Sequence, residues 1–223
     1  MFKSKKREIV VEQREHARLA GMLAQMWGND AFDSPRLPIA SFIAGVCFHD
    51  RGYDALDTDP IPDVDEATWI EKQLRGAERS CKDADADLLV TFHVRRLLAS
   101  KRSPARDAAV AKVEERISQR LPESSLSRAQ LEWCDRITHL CDSIAFTFCF
   151  EQAEQGEVLV CPRWDSEETE RIRYSVLGNG EVLVSPWPFS TPKFSRYVIA
   201  YQASGYPENR EAVILPVHLR AGP

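Results

Sequence analysis

The sequence predicts an α+β fold, with an all-helical bundle in the N-terminal two thirds (residues 1–154) and a small C-terminal antiparallel β-sheet (residues 155–223) packed on it. Two observations predict this division. Apolar residues recur at spacings of three and four before residue 154, as in amphipathic helices, and the period then becomes that of β-strands. No internal repeat or low-complexity linker separates the two parts. We therefore expect one folding unit, for which a chain of 223 residues is long enough.

Loops rich in proline and aspartate separate the predicted helices. The first helix stops at Gly28, the second ends at the turn that Asp50 begins, and an acidic, proline-broken loop follows over residues 54–65. Residues 125–127 form the N-cap region of a long apolar helix. The helices that we expect cover residues 12–27, 39–49, 66–80, 85–99, 104–120 and 131–150.

The strand pattern begins after Gly156. A glycine-rich turn, Gly178-Asn179-Gly180, predicts a hairpin, because Asn-Gly supplies the positive φ angles that a tight turn needs. A short β run is expected over residues 158–161, and strands over 171–176, 181–185, 196–202 and 212–219. So small a sheet needs the helices, or a partner, to cover one face.

Composition excludes several functional classes. The net charge is −5, so the chain has no broad basic field for nucleic acid or anionic lipid. No apolar run reaches the roughly 18–20 residues that cross a bilayer, and the first 25 residues lack the order of a secretion signal. We therefore expect a cytoplasmic protein that binds neither nucleic acid nor membrane.

The residues suited to chemistry lie in the predicted helices. Four of the five histidines occur there: His16, His49, His93 and His139. His49 is followed by Asp50 at the end of an apolar helix. On the last helix Asp135, His139 and Asp142 share one face, since they are spaced i, i+4, i+7.

Imidazole nitrogens and carboxylate oxygens together suit a divalent ion, namely Mn, Fe, Ni, Zn or Mg. In helical metal proteins, ligands from several helices commonly share one ion. A histidine on an apolar helix face is, however, more often a hydrogen-bonded packing residue, and aspartates can mark polar edges of a helix. From the residues alone, a shared polar or metal cluster and separate packing or surface residues are equal alternatives.

The order His, then His-Asp, then Asp on separate helices resembles the HD-domain superfamily of metal-dependent phosphohydrolases. The resemblance implies an HD-like helical bundle. The metal ligands that it implies are His16, His49, Asp50 and one of Asp142 and Asp135, with His93 matching the additional histidine of members that bind a second metal.

Six motifs carry a second resemblance: Q-x-x-H, A-x-x-W-G-N, H-D-x-G-Y, L-L-V-T-F-H, D-x-I-A-F-x-F-C and P-W-P-F, within residues 13–16, 24–29, 49–53, 88–93, 142–149 and 186–189. Together they resemble the bacterial family called domain of unknown function 3891. This family label implies no activity, but the match favours Asp142 over Asp135. The chain departs from the family at Tyr53, where tryptophan is usual, and in its Pro/Asp-rich segment 57–65, which puts the mouth of a pocket in doubt.

These observations favour metal-dependent hydrolysis of a small phosphorylated molecule. Asp50 and His93 are the expected catalytic residues, with His93 either a ligand to a second ion or a proton-transfer group. Of the basic residues near the cluster, Arg51 and Arg96 are the candidates for phosphate contacts. The alternative is a non-catalytic helical scaffold that binds a ligand or subunit through its cleft or sheet. The expected partner is a small phosphoester, and a homo-oligomer is compatible with the sequence.

Overall fold

The computed structural model describes residues 1–53, 58, 64–151 and 153–223. Residues 54–57 and 59–63 of the expected acidic loop thus lie outside the described residues. In the described part of the chain, no helix combines the length and apolar character that a bilayer crossing requires.

The helices are α1 (Gln13–Ala24), α2 (Ile39–Cys47), α3 (Glu66–Glu78), α4 (Ala84–Ala99), α5 (Pro104–Arg120) and α6 (Arg128–Phe150). The strands are β1 (Phe2–Lys3), β2 (Ile9–Val11), β3 (Gln155–Val160), β4 (Glu170–Val176), β5 (Glu181–Ser185), β6 (Lys193–Gln202) and β7 (Ala212–Ala221).

Each of the six expected helices is present, with ends that differ by a few residues at most. The starts of the later helices follow from capping, because a side-chain oxygen accepts a hydrogen bond from a backbone N–H of the first turn. The capping residues are Asp65, Asp83, Ser103 and Ser127. At Ser127 the bond is reciprocated by Gln130, so α6 begins three residues earlier than its apolar pattern indicated.

The strands of the described residues form one seven-stranded sheet in the order β1-β2-β6-β7-β5-β4-β3. The expected hairpin is confirmed, since β4 and β5 pair antiparallel with Val176 opposite Val182. Strands β5 and β7 run parallel. Every other neighbouring pair is antiparallel, and the sheet curls into a half-barrel.

The expectation of an HD-like all-helical bundle followed by a small antiparallel sheet is wrong. The fold is mixed α/β, and its sheet has seven strands among the described residues. The missed strands β1 and β2 precede α1, and β2 pairs with β6, far along the chain. Residues Ile9–Val11 are all buried, so they lack the apolar–polar alternation by which a strand is recognised. Only the distant partner strand makes this short segment a strand.

One hydrophobic core joins the helices to the sheet. Helix α6 packs against β3 and β4, and α1 packs against β6. Four helices also contact one another in a closed cycle, from α1 to α2, α4, α6 and back to α1. Side chains that point into this cycle from different helices therefore meet at a common point.

Candidate metal centre

Five polar side chains meet inside the cycle of α1, α2, α4 and α6. His16 lies on α1, His93 on α4 and Asp142 on α6, while His49 and Asp50 follow the end of α2. Each histidine is only 1 % exposed. Two triads have ligand atoms within 4.8 Å of one another: His16, His49 and Asp142, and His49, Asp50 and His93.

The backbone fixes how His49 presents its ring. Its Nδ1 lies 2.7 Å from the carbonyl oxygen of Val46. A carbonyl only accepts, so Nδ1 carries the hydrogen and Nε2 of the neutral ring carries a lone pair. Nε2 lies 3.4 Å from Asp50 Oδ2 and 3.5 Å from Asp142 Oδ1. A buried lone pair that faces two carboxylates requires a cation there, which is either a proton or a metal ion.

His16 lies between the same two carboxylates. Its Nδ1 is 3.3 Å from Asp50 Oδ2, and its Nε2 is 3.1 Å from Asp142 Oδ1. Ligand atoms bonded at ~2.1 Å to one tetrahedral ion lie about 3.4 Å apart. The separations of His16 Nε2 from Asp142, and of His49 Nε2 from both carboxylates, agree with that spacing. The His16 nitrogen nearest Asp50 is Nδ1, so Asp50 is close to this ion through His49 alone. Imidazole and carboxylate donors in this proportion fit a divalent transition ion.

Burial opposes the charged forms of these four groups, but their mutual attraction outweighs it. Contacts with Asp142 and Asp50 raise the pKa of His16, and they raise that of His49 well above its usual range. The histidines in turn lower the pKa of Asp50 and Asp142. A metal ion that enters the centre must therefore displace protons.

His93 differs from the other two histidines. Arg96 Nη2 lies 2.8 Å from His93 Nδ1, and a guanidinium only donates, so the neutral ring carries its hydrogen on Nε2. That Nε2 is buried, has no hydrogen-bond partner among the described residues and lies 3.9 Å from Asp50 Oδ1. Burial and repulsion from His49 and Arg96 hold the pKa of His93 well below its usual range. His93 is thus a neutral donor at the edge of the centre, in a tautomer unsuited to ligation through Nε2.

The two aspartates considered for the last ligand position lie in different surroundings. Asp142 contacts His16 and His49, whereas Asp135 Oδ2 accepts a hydrogen bond from Arg96 Nε at 3.0 Å. Arg96 also reaches the centre, with Nη2 3.9 Å from Asp142 Oδ2. The structure therefore brings Arg96 to the cleft and holds Asp135 behind it.

Arg51 does not line the cleft among the described residues. Its Nη2 donates to Asp87 at 2.6 Å and its Nε to the carbonyl of Gly76 at 2.7 Å. Sequence reasoning did not single out Asp87, whose only signal is a carboxylate in an apolar helix. The turn after α2 is held by further bonds, from Arg75 to the carbonyl of Gly52 and from Arg79 to the carbonyl of Arg51.

Two other arginines near the cluster in sequence are engaged elsewhere. Arg95 pairs with Glu114, and Arg136 donates to Cys161 Sγ at 3.0 Å. His139, in contrast, borders the cleft, and burial together with repulsion from Arg96 lowers its pKa to about 4.

Two neighbouring cavities of about 210 Å³ each border the centre, and we call them the two lobes of the cleft. Leu97, Asp142 and Phe146 border both. We call one the aromatic lobe, for its side chains Phe2, Tyr53, Trp69 and Phe146. Of these rings, sequence reasoning connected only Tyr53 with the mouth of a pocket. Residues of the centre line its inner end, namely His16, Asp50 and His93. We call the other the basic lobe, for Arg96; it is also lined by His139, Thr147 and Tyr174. A larger cavity of about 620 Å³ lies beside the start of α6, away from the histidines.

A protein-family model described as "Protein of unknown function (DUF3891)" matches residues 1–203. Neither the search of curated proteins nor the search of solved structures gave a match.

Proposed function

We propose that this chain, which belongs to the family described as "Protein of unknown function (DUF3891)", is a metal-dependent hydrolase of a small phosphorylated molecule. The single observation that carries the proposal is the setting of His49. Its Nδ1–H is bound to a backbone carbonyl, and its Nε2 faces two carboxylates at 3.4 and 3.5 Å. Metal-ligating histidines are commonly oriented in this way, by a hydrogen bond from the nitrogen that does not bind the metal.

His16, His49, Asp50 and Asp142 would hold the ion, which would be Mn, Fe, Ni, Zn or Mg. Such an ion polarises a phosphoryl oxygen and lowers the pKa of a coordinated water. The order of these ligands along the chain is also that of the HD-domain superfamily, and this supports the ligand set without extending to the fold. Asp142 is proposed over Asp135 because only Asp142 contacts the histidines.

His93 and Arg96 would act on the phosphate itself. In hydrolysis, the oxygen of water bonds to phosphorus, the ester P–O bond breaks, and the departing alcohol oxygen takes up a proton. The Nε2–H of the neutral His93 ring has no acceptor among the described residues, and it would donate a hydrogen bond to the departing or a phosphoryl oxygen. Arg96 keeps that tautomer through its 2.8 Å bond to Nδ1. The proton that the alcohol takes up would come from the attacking water.

The test is elemental analysis of protein purified without a metal-affinity tag, followed by phosphate release from a panel of small phosphoesters. We expect a divalent ion in the wild type and in His218→Ala, a matched control on an exposed strand position. We expect no ion and no turnover in His49→Ala. His93→Phe, which keeps a ring but has no donor, should retain the ion and lose about 10²–10³ in kcat.

One result would overturn the proposal. If the wild type contains no divalent ion and takes up none of Mn²⁺, Fe²⁺, Ni²⁺, Zn²⁺ or Mg²⁺, protons alone bridge the carboxylates and imidazoles. The centre would then be a structural network, and the non-catalytic scaffold would take the place of the enzyme.

A further inference from the structure

We infer that the substrate is a phosphate monoester whose alcohol carries a flat ring, with the ring in the aromatic lobe and the phosphate beside the basic lobe. This inference rests on the proposed function and names its substrate class. It depends on three features of the cleft: the fixed rings of one lobe, the size of that lobe, and the side on which positive charge lies.

The rings of the aromatic lobe are held in place before a ligand binds. The guanidinium of Arg106 lies 4.4 Å from the centre of the Trp69 ring, a cation–π contact. Phe2 and Phe146 meet edge to face, with ring centres 5.3 Å apart. Rings fixed in this way offer faces and edges to another flat ring in the arrangements that aromatic pairs prefer.

The size of the aromatic lobe limits what it can hold. An apolar cavity of about 150 Å³ holds benzene, so a lobe of about 210 Å³ holds one ring and a short link. Each lobe is smaller than the roughly 300 Å³ at which sites for drug-sized ligands begin. The ligand is therefore small, with its ring in the aromatic lobe and its phosphate beside Asp142, which borders both lobes.

Charge decides which end of the ligand enters which lobe. The described residues that line the aromatic lobe include no lysine or arginine, and the cations nearest its rings, Lys72 and Arg106, lie over Tyr53 and Trp69 without lining the cavity. Arg96 borders the basic lobe, and its Nη2 lies 3.9 Å from Asp142 Oδ2 at the junction. A phosphate at the junction thus meets the guanidinium and the donor of His93, while its organic group faces the rings.

The test compares benzyl phosphate with cyclohexylmethyl phosphate, using Mn²⁺-loaded protein. Both esters have six-membered rings and alcohols of similar basicity, so a difference in KM reports on flatness. We expect a KM roughly two- to tenfold lower for benzyl phosphate, which corresponds to one aromatic contact. Trp69→Ala should abolish the difference and Trp69→Phe should keep part of it. Tyr197→Ala, an exposed ring outside the cleft, should retain it fully.

A second measurement separates this inference from the proposed function. Benzylphosphonate and cyclohexylmethylphosphonate cannot be hydrolysed at their P–C bonds, so calorimetric titration measures their binding alone. If neither ester is hydrolysed but benzylphosphonate binds more tightly, and Trp69→Ala removes that preference, the ligand class stands and the hydrolase fails. If both esters are hydrolysed with equal KM, or the two phosphonates bind equally, the ring preference is wrong.

Discussion

Around Asp87 one buried carboxylate meets three guanidinium groups, whereas around His49 two partly buried carboxylates meet imidazole nitrogens. Asp87 lies 2.6 Å from Arg51, 3.3 Å from Arg116 and 3.4 Å from Arg120. These two clusters are adjacent, since Arg51 follows Asp50 in the chain. We call them the arginine cluster and the histidine cluster.

The two clusters differ in where their positive charge comes from. Guanidinium groups are permanently charged, so the arginine cluster is complete with residues of the chain itself. Imidazoles have a charge only when a proton or a metal ion supplies it, so the histidine cluster is complete only with a cation from solution. A buried polar cluster is thus structural when its counter-charges are covalently part of the chain, and open to a ligand when they are not.

The largest effect on stability is expected in the arginine cluster. Asp87→Ala leaves three guanidinium groups that cannot lose their charge, so we expect a loss of about 3–5 kcal/mol in the free energy of unfolding. Asp142→Ala in metal-free protein should cost less, because His16 and His49 can release their protons. Urea denaturation in the presence of EDTA measures both values.

Glu123→Ala is the control for the arginine cluster, since Glu123 pairs with Arg120 at the surface. Its removal should cost under about 1 kcal/mol. Equal losses in Asp87→Ala and Asp142→Ala would mean that both clusters are self-sufficient, and the distinction between them would be lost.

A smaller effect is expected when metal is added. An ion at one hundred times its Kd stabilises a protein by about 2.7 kcal/mol, because it binds only the folded state. We expect this gain in the wild type and none in Asp142→Ala. Asp135→Ala is the matched control on the same helix, and it should retain the gain, since Asp135 contacts Arg96 rather than the histidines. A gain lost in Asp135→Ala and kept in Asp142→Ala would reverse the ligand assignment.

Sequence periodicity was sufficient for the helices and for the β4–β5 hairpin, because both are determined by residues close together in the chain. Strands β1 and β2 could not be predicted, since the partner of β2 is β6. The parallel pairing of β5 with β7 likewise depends on how the sheet closes, and no local pattern contains it.

Residue type and helical placement were sufficient to predict which side chains converge. The structure brings these together in two triads, made up of His16, His49, Asp50, His93 and Asp142. Their individual roles did not follow. The tautomer of His49 depends on a backbone carbonyl, and that of His93 depends on Arg96. The Arg51 side chain points away from the cleft because it binds Asp87. Such orientation is set by tertiary contacts, which the order of residues does not specify.

The stability of metal-free protein should depend on pH, because two pairs of histidines have pKa values shifted in opposite directions. The raised pKa values of His16 and His49 give stability that is complete below about pH 6.5 and lost as the pH rises. The lowered pKa values of His93 and His139 give stability that is complete above about pH 6.5 and lost as the pH falls, for His139 down to its pKa of about 4.

These opposed contributions predict a maximum in the melting temperature near pH ~6.5 in EDTA. A bound ion takes the place of the protons, so added Mn²⁺ should remove the decline on the alkaline side. Melting curves between pH 4 and pH 9 measure both effects. A melting temperature that rises steadily to pH 9 without metal would mean that His16 and His49 have no raised pKa values.

The smallest effect tests whether loss of stability alone releases the metal. Ser127 caps α6, the helix that carries Asp142, and its hydroxyl accepts a hydrogen bond from the Gln130 backbone. Ser127→Ala removes that bond at a cost of about 1 kcal/mol in the free energy of unfolding. Asp142 lies four turns further along the helix, so the metal content should equal that of the wild type. Loss of metal in Ser127→Ala would mean that the histidine cluster responds to any weakening of α6, and metal loss in the ligand variants would no longer identify ligands.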